Sequence, residues 1–406
     1  MPKVLRILNR FNLGGPTLNA TYLTKYLAPE FETLLVGGKH CEDEKNSDFI
    51  LKEQGVHFVT LEEMKRPISL KDDFKAYNKI CQIIKDFKPD IVHTHAAKSG
   101  ALGRFAAHHL NVPVILHTFH GHVFDAYFGR IETSFYKIIE RNLAAKSTKI
   151  IAISENQKKE LSEIHNICAP DKIEIIPLGI DLSKFRCNKE QKRMDFRKTY
   201  NLDEDEIAIG IIGRLAPIKN HDLFLNSFKN IKESTDKRVR AFIVGDGEMK
   251  EHLKELASEL NLDFVNTNGI PKNNEKASVT FTSWIKEVDN VLAGIDIVAL
   301  TSLNEGTPVS LIEAQAACKA IISTDVGGVK NVVQQNETAL LSPSNDLESF
   351  TLNLKCLVEN DELRIGLAKN GCAERLENKF GYKRLCNDMK MLYYKLLEEN
   401  KQLHKN

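Results

Sequence analysis

Short apolar runs alternate with amphipathic stretches along almost the whole chain. The apolar runs lack a regular inside–outside alternation, which is typical of strands buried on both faces of a parallel sheet. The stretches between them repeat their apolar positions with the period of an α-helix. This pattern predicts a doubly wound α/β fold. The predicted strands are residues 3–8, 33–36, 56–60, 91–94, 114–117, 149–153, 173–176, 207–213, 241–245, 281–284, 296–300, 320–323 and 339–341.

The alternation is interrupted once, so we predict two domains of the same construction. Residues 183–206 are almost wholly polar, and we interpret them as a connection between the domains. A length of 406 residues suffices for two or three domains that each bury a core. Ligands of open α/β sheets bind beyond the carboxyl ends of the strands. Two such domains facing one another would place a substrate site in the cleft between them.

The charge balance excludes one broad class of function. The net charge is +1, with 56 Lys and Arg residues against 55 Asp and Glu residues, so the chain lacks the overall basic field of a general nucleic-acid binder. Residues 1–200 carry a balance of +7 and the remainder a balance of −6. Two domains with different partners would explain this asymmetry, and ordinary sampling over a long surface explains it equally well.

The cysteines and the apolar stretches indicate the compartment. Eight cysteines are scattered without a C-x-x-C pair. The apolar run at the amino terminus is too short for the core of a signal peptide. No stretch approaches the roughly 18 apolar residues of a membrane span. We therefore expect a cytoplasmic protein with free thiols.

Residues 301–333 form the most informative segment. A buried strand leads into Glu305, Gly306, Thr307 and Pro308, and a helix follows. Thr307 is a suitable N-cap residue, because its hydroxyl can accept from a free amide of the first turn. Pro308 has the backbone conformation of the first helical position. The sequence therefore predicts a strand, a loop and a capped helix in immediate succession.

The start of this predicted helix has the properties of an anion site. The amides of Val309 and Ser310 would point out of the first turn, beside the positive end of the helix dipole, and could bind a diphosphate. Glu313 lies further along the helix, where it could bind the ribose hydroxyls of a nucleotide. Glu305 would lie near the group that the phosphates carry. The alternative is a capped core helix with two surface acids.

A second group of candidate residues follows the first strand of the second domain. Gly213 ends that strand, Arg214 follows it, and Lys219 precedes the next helix. Both cations can converge at the sheet edge where Glu305 also emerges, and a paired Arg and Lys neutralise a departing diphosphate without a metal. Two solvated surface cations are the alternative interpretation.

The first domain contributes a glycine pair and two clusters of histidines. Gly14 and Gly15 follow its first strand, and adjacent glycines let the backbone approach a ligand closely. The histidines follow two further strands, and imidazole is a common metal ligand. Neither cluster has the spacing of a known zinc motif, so we predict no metal and interpret the clusters as a polar rim for a sugar. The clustered histidines are His93, His95, His117, His120 and His122.

Three segments together resemble one enzyme family. They are IIGRLAPIKN at residues 211–220, FTSW at residues 281–284, and the stretch 296–333. They resemble the retaining nucleotide-sugar glycosyltransferases of the GT-B fold, in the bacterial family numbered four. The resemblance implies two Rossmann-like domains facing across a cleft. The first would comprise residues 1–182 with a terminal helix at about 380–406 that crosses back to it, and the second residues 183–379.

The resemblance also implies roles for single residues. In the first domain, the loop of Gly14 and Gly15 would close on the phosphates, and His120, or His122 in its place, would contact the sugar. The second domain would bind the nucleotide sugar. There Glu313 would bind the ribose, and Arg214 and Lys219 would bind the diphosphate. Glu305 would bind the sugar hydroxyls, and Trp284 and Ile285 would flank the base. The phosphates and sugar would be held by the backbone of Gly306, Thr307, Pro308, Val309 and Ser310.

The implied activity is transfer of a sugar, with retention of configuration, from a nucleotide sugar to a hydroxyl acceptor. A UDP-sugar is the default donor, and a lipid-linked or growing cell-surface glycan is the expected acceptor. The acceptor would attack from the face that the diphosphate leaves, and the diphosphate oxygen would take its proton. No metal and no cofactor are expected. A GT-B sugar-nucleotide epimerase and a non-catalytic sugar-nucleotide-binding protein are the alternatives.

One stretch of the first domain bears on the acceptor. Residues 127–149 are aromatic, basic and amphipathic. A surface that lies on the inner face of the membrane, where a lipid-linked acceptor is reached, is one interpretation. A core helix with a solvated cationic face is the other.

Overall fold

The computed structural model describes residues 1–11, 15–39, 48–65, 67–121, 130–267, 276–372 and 374–403. The chain divides into two compact units, which are Met1–Ile180 with Lys379–Asn406, and Asp181–Asn378. Among the described residues, no helix combines the length and apolar character that crossing a bilayer requires.

The first unit contains a seven-stranded sheet in which all neighbouring strands are parallel. Its strands are β1 (Lys3–Arg10), β2 (Glu32–Gly38), β3 (Phe58–Leu61), β4 (Ile91–His95), β5 (Val114–Thr118), β6 (Lys149–Ala152) and β7 (Ile173–Ile175), in the spatial order β3-β2-β1-β4-β5-β6-β7. The helices between them are α1 (Gly15–Tyr26), α2 (Asp48–Glu53), α3 (Leu70–Phe87), α4 (Ala97–His109), α5 (Arg130–Lys146) and α6 (Glu155–Lys159).

The second unit repeats this construction with a second seven-stranded parallel sheet. Its strands are β8 (Ile207–Ile212), β9 (Val239–Val244), β10 (Phe264–Asn266), β11 (Val279–Ser283), β12 (Ile297–Leu300), β13 (Ala320–Thr324) and β14 (Leu340–Ser342), in the order β10-β11-β9-β8-β12-β13-β14. The helices are α7 (Ser183–Arg186), α8 (Lys189–Thr199), α9 (His221–Ser234), α10 (Lys250–Glu259), α11 (Val288–Gly294), α12 (Val309–Ala316), α13 (Leu347–Glu359), α14 (Asp361–Gly371) and α15 (Arg375–Phe380).

The predicted doubly wound fold is confirmed. The central strands β4, β5, β8 and β9 are buried along their whole length. The apolar runs without alternation therefore correspond to strands covered by helices on both faces. The short edge strand β10 was not predicted, because only three residues pair there and no apolar run marks them.

Residues 183–206 are not the connection that we predicted but a folded part of the second unit. They contain α7 and α8, and Phe196 of α8 packs so closely on Gly294 that a Cβ at Gly294 would lie 2.0 Å from its ring. Arg193 Nη2 lies 2.8 Å from Asp296 Oδ1, and Arg197 Nη1 lies 3.4 Å from Asp296 Oδ2. The polar sequence was misleading because its charged side chains have partners that lie far away along the chain.

The expectation of free thiols is wrong for one pair of cysteines. Cys318 follows α12, Cys372 follows α14, and the structure joins them in a disulfide with a Cα–Cα distance of 4.8 Å. They are 54 residues apart and belong to no spacing motif, so only the packing of the second unit brings them together. The free cysteines among the described residues are Cys81, Cys168, Cys187, Cys356 and Cys386.

The last helix, α16 (Tyr382–Leu403), packs on the sheet of the first unit through a buried polar network. Arg6 Nη2 of β1 donates to Tyr393 Oη at 3.0 Å, and this oxygen lies 2.7 Å from His93 Nδ1. The other ring nitrogen of His93, Nε2, lies 2.7 Å from Thr118 Oγ1. Both nitrogens of the buried imidazole therefore have a hydroxyl partner, and a hydroxyl can donate or accept.

Replacing Tyr393 with phenylalanine should destabilise the first unit, because it leaves the buried guanidinium of Arg6 and Nδ1 of His93 without this partner. We expect a loss of about 1–3 kcal/mol in the free energy of unfolding, measured by denaturant titration. Tyr394→Phe is the matched control, since its hydroxyl bonds Glu30 at the surface, and it should change stability by less than about 0.5 kcal/mol. Equal stability of the two variants would contradict a structural role for the network.

Candidate active site

The candidate residues of the second unit lie where the strand order reverses. β8 and β12 are neighbours in the sheet, but the chain continues from β8 toward one edge and from β12 toward the other. The chain therefore leaves these two strands in opposite directions at the carboxyl edge, and open α/β sheets bind ligands in the crevice beside such a reversal. Residues 213–220 follow β8, and residues 301–308 follow β12.

The two loops are tied together by an ion pair between predicted site residues. Lys219 Nζ lies 2.5 Å from Glu305 Oε1, and the same oxygen accepts from Ser302 Oγ at 2.6 Å. Two further bonds involve the backbone, since Thr301 Oγ1 donates to the carbonyl of Lys219 at 2.9 Å, and the amide of Leu303 donates to the carbonyl of Ile218 at 2.8 Å. Lys219 and Glu305 are thus held in contact at the crevice.

Arg214 has a different partner. Its Nη2 lies 3.1 Å from Glu248 Oε2, and both side chains are at least half exposed. Our prediction placed Arg214 and Lys219 together around a diphosphate, with Glu305 beyond it. In the structure, each cation is paired with its own carboxylate. An ion pair at this degree of exposure contributes little to stability, so Arg214 can exchange Glu248 for another anion at low cost.

The predicted cap of α12 is wrong by one residue. The helix begins at Val309, the N-cap residue is Pro308 in an extended conformation with ψ of 100°, and no side chain caps the helix. Thr307 Oγ1 is buried and has no hydrogen-bond partner among the described residues. The first amides of a helix have no partner within the helix. Because no side chain satisfies them here, the start of α12 keeps its capacity to bind an anion.

A glycine pair that we did not assign holds the loop before α12. The amide of Gly328 donates to the carbonyl of Glu305 at 2.8 Å. A Cβ at Gly328 would lie 1.6 Å from the carbonyl oxygen of Gly306, and one at Gly327, where φ is +48°, would lie 2.0 Å from that of Glu305. Only glycine permits this approach. In the sequence, the two adjacent glycines shortly after a predicted strand are the feature from which this close backbone contact could have been predicted.

Glu313 lies in the middle of α12 and is partly buried. Burial raises its pKa to about 7, with Lys184 opposing this effect and Asp289 adding to it. Near neutral pH, its carboxyl group is therefore present both as the carboxylate, which only accepts hydrogen bonds, and as the protonated acid, which can also donate one.

Trp284 and Ile285 follow β11 and are partly buried. The turn before them is anchored by Ser283, whose φ is +57° and whose hydroxyl accepts from Lys250 Nζ at 2.7 Å. Ser283 Oγ also donates to Asp246 Oδ2 at 3.0 Å. These bonds hold the beginning of the loop that was predicted to flank the base.

In the first unit, two predicted residues can be placed and two cannot. Gly15 is the first residue of α1, whereas Gly14 and His122 lie outside the described residues. His120 follows β5, and its Nε2 lies 2.9 Å from Nδ1 of His95 at the end of β4. β1 and β4 are neighbours at which the strand order of this sheet reverses. Gly15 and the histidines therefore belong to the corresponding edge of the first sheet.

The histidines of this edge are neutral near pH 7. Burial lowers the pKa values of His93, His95 and His117 well below the usual range, with nearby cationic groups adding to the effect. Burial also lowers the pKa of His120, to about 4. Within the part of the chain that the structure describes, no three His, Cys, Asp or Glu side chains are grouped so that they could hold a metal ion.

Comparison with known proteins shows the family to which the chain belongs. Residues 13–184 match the family model described as Glycosyltransferase Family 4, and residues 192–373 match the one described as Glycosyl transferases group 1. The chain is 32% identical over 332 residues, 81% of each protein, to the Escherichia coli UDP-Gal:alpha-D-GlcNAc-diphosphoundecaprenol alpha-1,3-galactosyltransferase. The chain is a family 4 glycosyltransferase.

Another glycosyltransferase and a solved structure are also similar to this chain. It is 25% identical to the Staphylococcus aureus capsular polysaccharide biosynthesis glycosyltransferase CapM, over 83% of this chain and 85% of that protein. Its fold is GT-B, since it superimposes on Anabaena Alr3699/HepE, solved in complex with UDP and glucose, with a TM-score of 0.79. That match covers 97% of this chain and all of the other at 16% identity, so it concerns the fold alone.

We expect Gly328→Ala to destabilise this glycosyltransferase by about 1–3 kcal/mol, because the added Cβ must displace the backbone of Gly306. Gly366→Ala is the control, since this glycine of α14 has open space where its Cβ would lie, and alanine favours a helix by up to about 1 kcal/mol. Thermal unfolding of both variants checks the prediction. An unchanged unfolding temperature for Gly328→Ala would show that the loop before α12 is not held as described.

Proposed function

We propose that this glycosyltransferase moves a hexosyl or N-acetylhexosaminyl group from a UDP-sugar to a hydroxyl group of a lipid-linked glycan, with retention and without a metal. The observation that carries the proposal is the uncapped start of α12 beside the ion pair of Lys219 and Glu305, with Glu313 further along the same helix. The Escherichia coli relative, whose name gives a UDP-sugar donor and a diphosphate-linked lipid acceptor, supports the choice of substrates.

The donor would be bound by charges that are already in position. The diphosphate would accept from the free amides of Val309 and Ser310 at the positive end of α12. Lys219 and Arg214 would supply the opposing charge, each turning partly from its present carboxylate toward a phosphate oxygen. Glu313 would bind the ribose hydroxyls, and Trp284 and Ile285 would flank the base.

The same groups would promote the reaction. The bond between the anomeric carbon and the diphosphate oxygen breaks, and its electron pair stays on the diphosphate. Lys219, Arg214 and the start of α12 stabilise the negative charge as it develops. The acceptor oxygen bonds the anomeric carbon from the same face and passes its proton to the departing diphosphate. Glu305, freed from part of its contact with Lys219, would bind sugar hydroxyls, and His120 would contact the transferred sugar.

A thermal-shift panel of nucleotide sugars, followed by a transfer assay, tests the proposal. A UDP-sugar should raise the unfolding temperature by mass action more than the corresponding GDP-sugar does. The same donor should then glycosylate a GlcNAc-diphosphate-lipid acceptor with retained configuration in the presence of EDTA. Conversion of the donor to an epimer without an acceptor would favour the epimerase. Binding without any turnover would favour the non-catalytic alternative.

Two variants separate binding from chemistry in this assay. Glu313→Ala should weaken nucleotide binding by about tenfold or more, because hydrogen bonds to a charged group are lost. Glu305→Ala should keep most of the donor-induced rise in unfolding temperature and mainly lower turnover. Glu348→Ala, an exposed acid in the first turn of α13, is the control and should change neither quantity. Unchanged donor affinity of Glu313→Ala would count against the ribose assignment.

We also propose that the enzyme meets its lipid-linked acceptor at an anionic bilayer surface. Residues 127–129 of the stretch first considered for this contact lie outside the described residues. In α5, Phe135 and Ile138 are 61% and 54% exposed, but Arg141 is committed to the carbonyls of His165 and Asn166. A more exposed apolar surface lies at the start of α3.

This second surface, which we name the α3 surface, comprises Ile68, Leu70, Lys71, Phe74 and Lys75. Its three apolar side chains are 68%, 88% and 65% exposed, and both lysines are exposed. The two acids of the same helical turn, Asp72 and Asp73, are paired with Lys65 and Lys98. Exposed apolar groups beside exposed cations suit the interface of an anionic membrane.

Replacing Ile68, Leu70 and Phe74 together with serine should abolish co-flotation with vesicles that contain anionic phospholipid, because it removes the apolar contact. Turnover of a water-soluble acceptor should be unchanged. The matched control replaces Leu352 and Ile365 of the second unit, which are 56% and 64% exposed, and should float like the wild type. No flotation of the wild-type enzyme would exclude the α3 surface as a membrane contact.

A further inference from the structure

The buried His95 and the partly buried His120 of the first unit form a hydrogen-bonded pair with one unused nitrogen at each end. His95 Nδ1 and His120 Nε2 are 2.9 Å apart, and the rings are stacked with centroids 5.2 Å apart. The outer nitrogens, His95 Nε2 and His120 Nδ1, are buried and have no hydrogen-bond partner among the described residues. Buried polar atoms are normally satisfied, so these two point to a ligand that completes them.

The number of protons in the pair determines what it offers a ligand. A neutral imidazole carries one proton, so one ring donates and the other accepts in the bond between them. If His95 donates, His120 carries its proton on Nδ1 and His95 Nε2 is bare. If His120 donates, the arrangement is reversed. The bond therefore couples the two tautomers, and the proton of His120 cannot change nitrogen without a change at His95.

The surroundings hold His95 more firmly than His120. His95 is the last residue of β4 and is fully buried. Its ring packs on that of His93 with centroids 4.3 Å apart, and His93 is in turn fixed by Tyr393 and Thr118. Ser99 Oγ donates to the carbonyl of His95. His120 follows the end of β5 in a loop, so the orientation of its ring depends on the hydrogen bond with His95.

We infer that His95 is a positioning residue for the transfer reaction: it orients the ring of His120 and couples the tautomer of that ring to its own, so that Nδ1 of His120 meets a hydroxyl group of the transferred sugar. This inference rests on the proposed function, since it takes the ligand of His120 to be a sugar. A hydroxyl both donates and accepts, and can therefore complete either form of the nitrogen. A ring that is already oriented loses less freedom when the sugar binds.

The choice of substitution at His95 tests this inference. The amide of asparagine reaches the position of Nδ1 of a histidine and can keep the bond to His120, whereas the amide of glutamine reaches the position of Nε2 and cannot. We expect His95→Asn to keep kcat within about threefold, and His95→Gln and His95→Leu to lower it about tenfold or more, as loss of one hydrogen bond predicts. Affinity for UDP, which lacks the transferred sugar that would contact His120, should be unchanged in all three variants.

A spectroscopic measurement gives a readout that a merely structural role would not move. The ¹⁵N shifts of the His120 ring, assigned with His120→Gln, report its tautomer. They should be of wild-type form in His95→Asn and of mixed or reversed form in His95→Gln and His95→Leu. His165→Asn, which replaces a buried histidine elsewhere in the first unit, is the control for loss of an imidazole and should change neither kcat nor these shifts.

The outcomes distinguish this inference from the proposed function. If the wild type transfers sugar but His95→Leu retains full kcat, the inference is wrong and the function stands. Equal impairment of the asparagine and glutamine variants, with unchanged His120 shifts, would also overturn it. If the wild type transfers no sugar to any acceptor, the proposed function fails, and the shifts alone still decide whether His95 sets the tautomer of His120.

Discussion

The contact between Lys219 and Glu305 depends on one topological constraint. All strands of the second sheet are parallel, so the loops that follow them emerge at the same edge. The strand order reverses between β8 and β12, so the chain leaves these two neighbours in opposite directions, and the loops that follow them lie side by side. Residues separated by 86 positions along the chain thereby come within 2.5 Å of each other.

The charges at this edge are balanced before any ligand arrives. Lys219 is paired with Glu305, and Arg214 with Glu248. A single unpaired cation in a half-buried crevice would be costly to desolvate, whereas a pair of opposite charges costs less and can be redistributed when an anion binds. The uncapped first turn of α12 differs, since its amides carry only partial charge and can stay without a protein partner at a solvent-accessible edge.

The first unit uses the same topology for a different purpose. The neighbouring strands β4 and β5 bring neutral histidines together rather than charges, and the buried bonds of Arg6, Tyr393, His93 and Thr118 connect them to the last helix of the chain. Neutral imidazoles suit hydroxyl groups, because each offers one donor and one acceptor. The two units thus present different chemistry from one construction, with paired charges in the second and neutral hydrogen-bonding groups in the first.

The sequence by itself determined most of the elements. Apolar periodicity identified nearly every strand, and the succession of strand, loop and helix around Glu305 to Ser310, on which the predicted anion site depends, is present in the structure, because these signals are local. Only the tertiary structure decided the partners: Glu248 for Arg214, Glu305 for Lys219, His95 for His120 and Cys372 for Cys318. These partners lie 25 to 86 residues apart. Such contacts depend on the order of strands and the packing of helices, which local pattern does not encode, and the same packing turned the polar residues 183–206 into helices of the second unit.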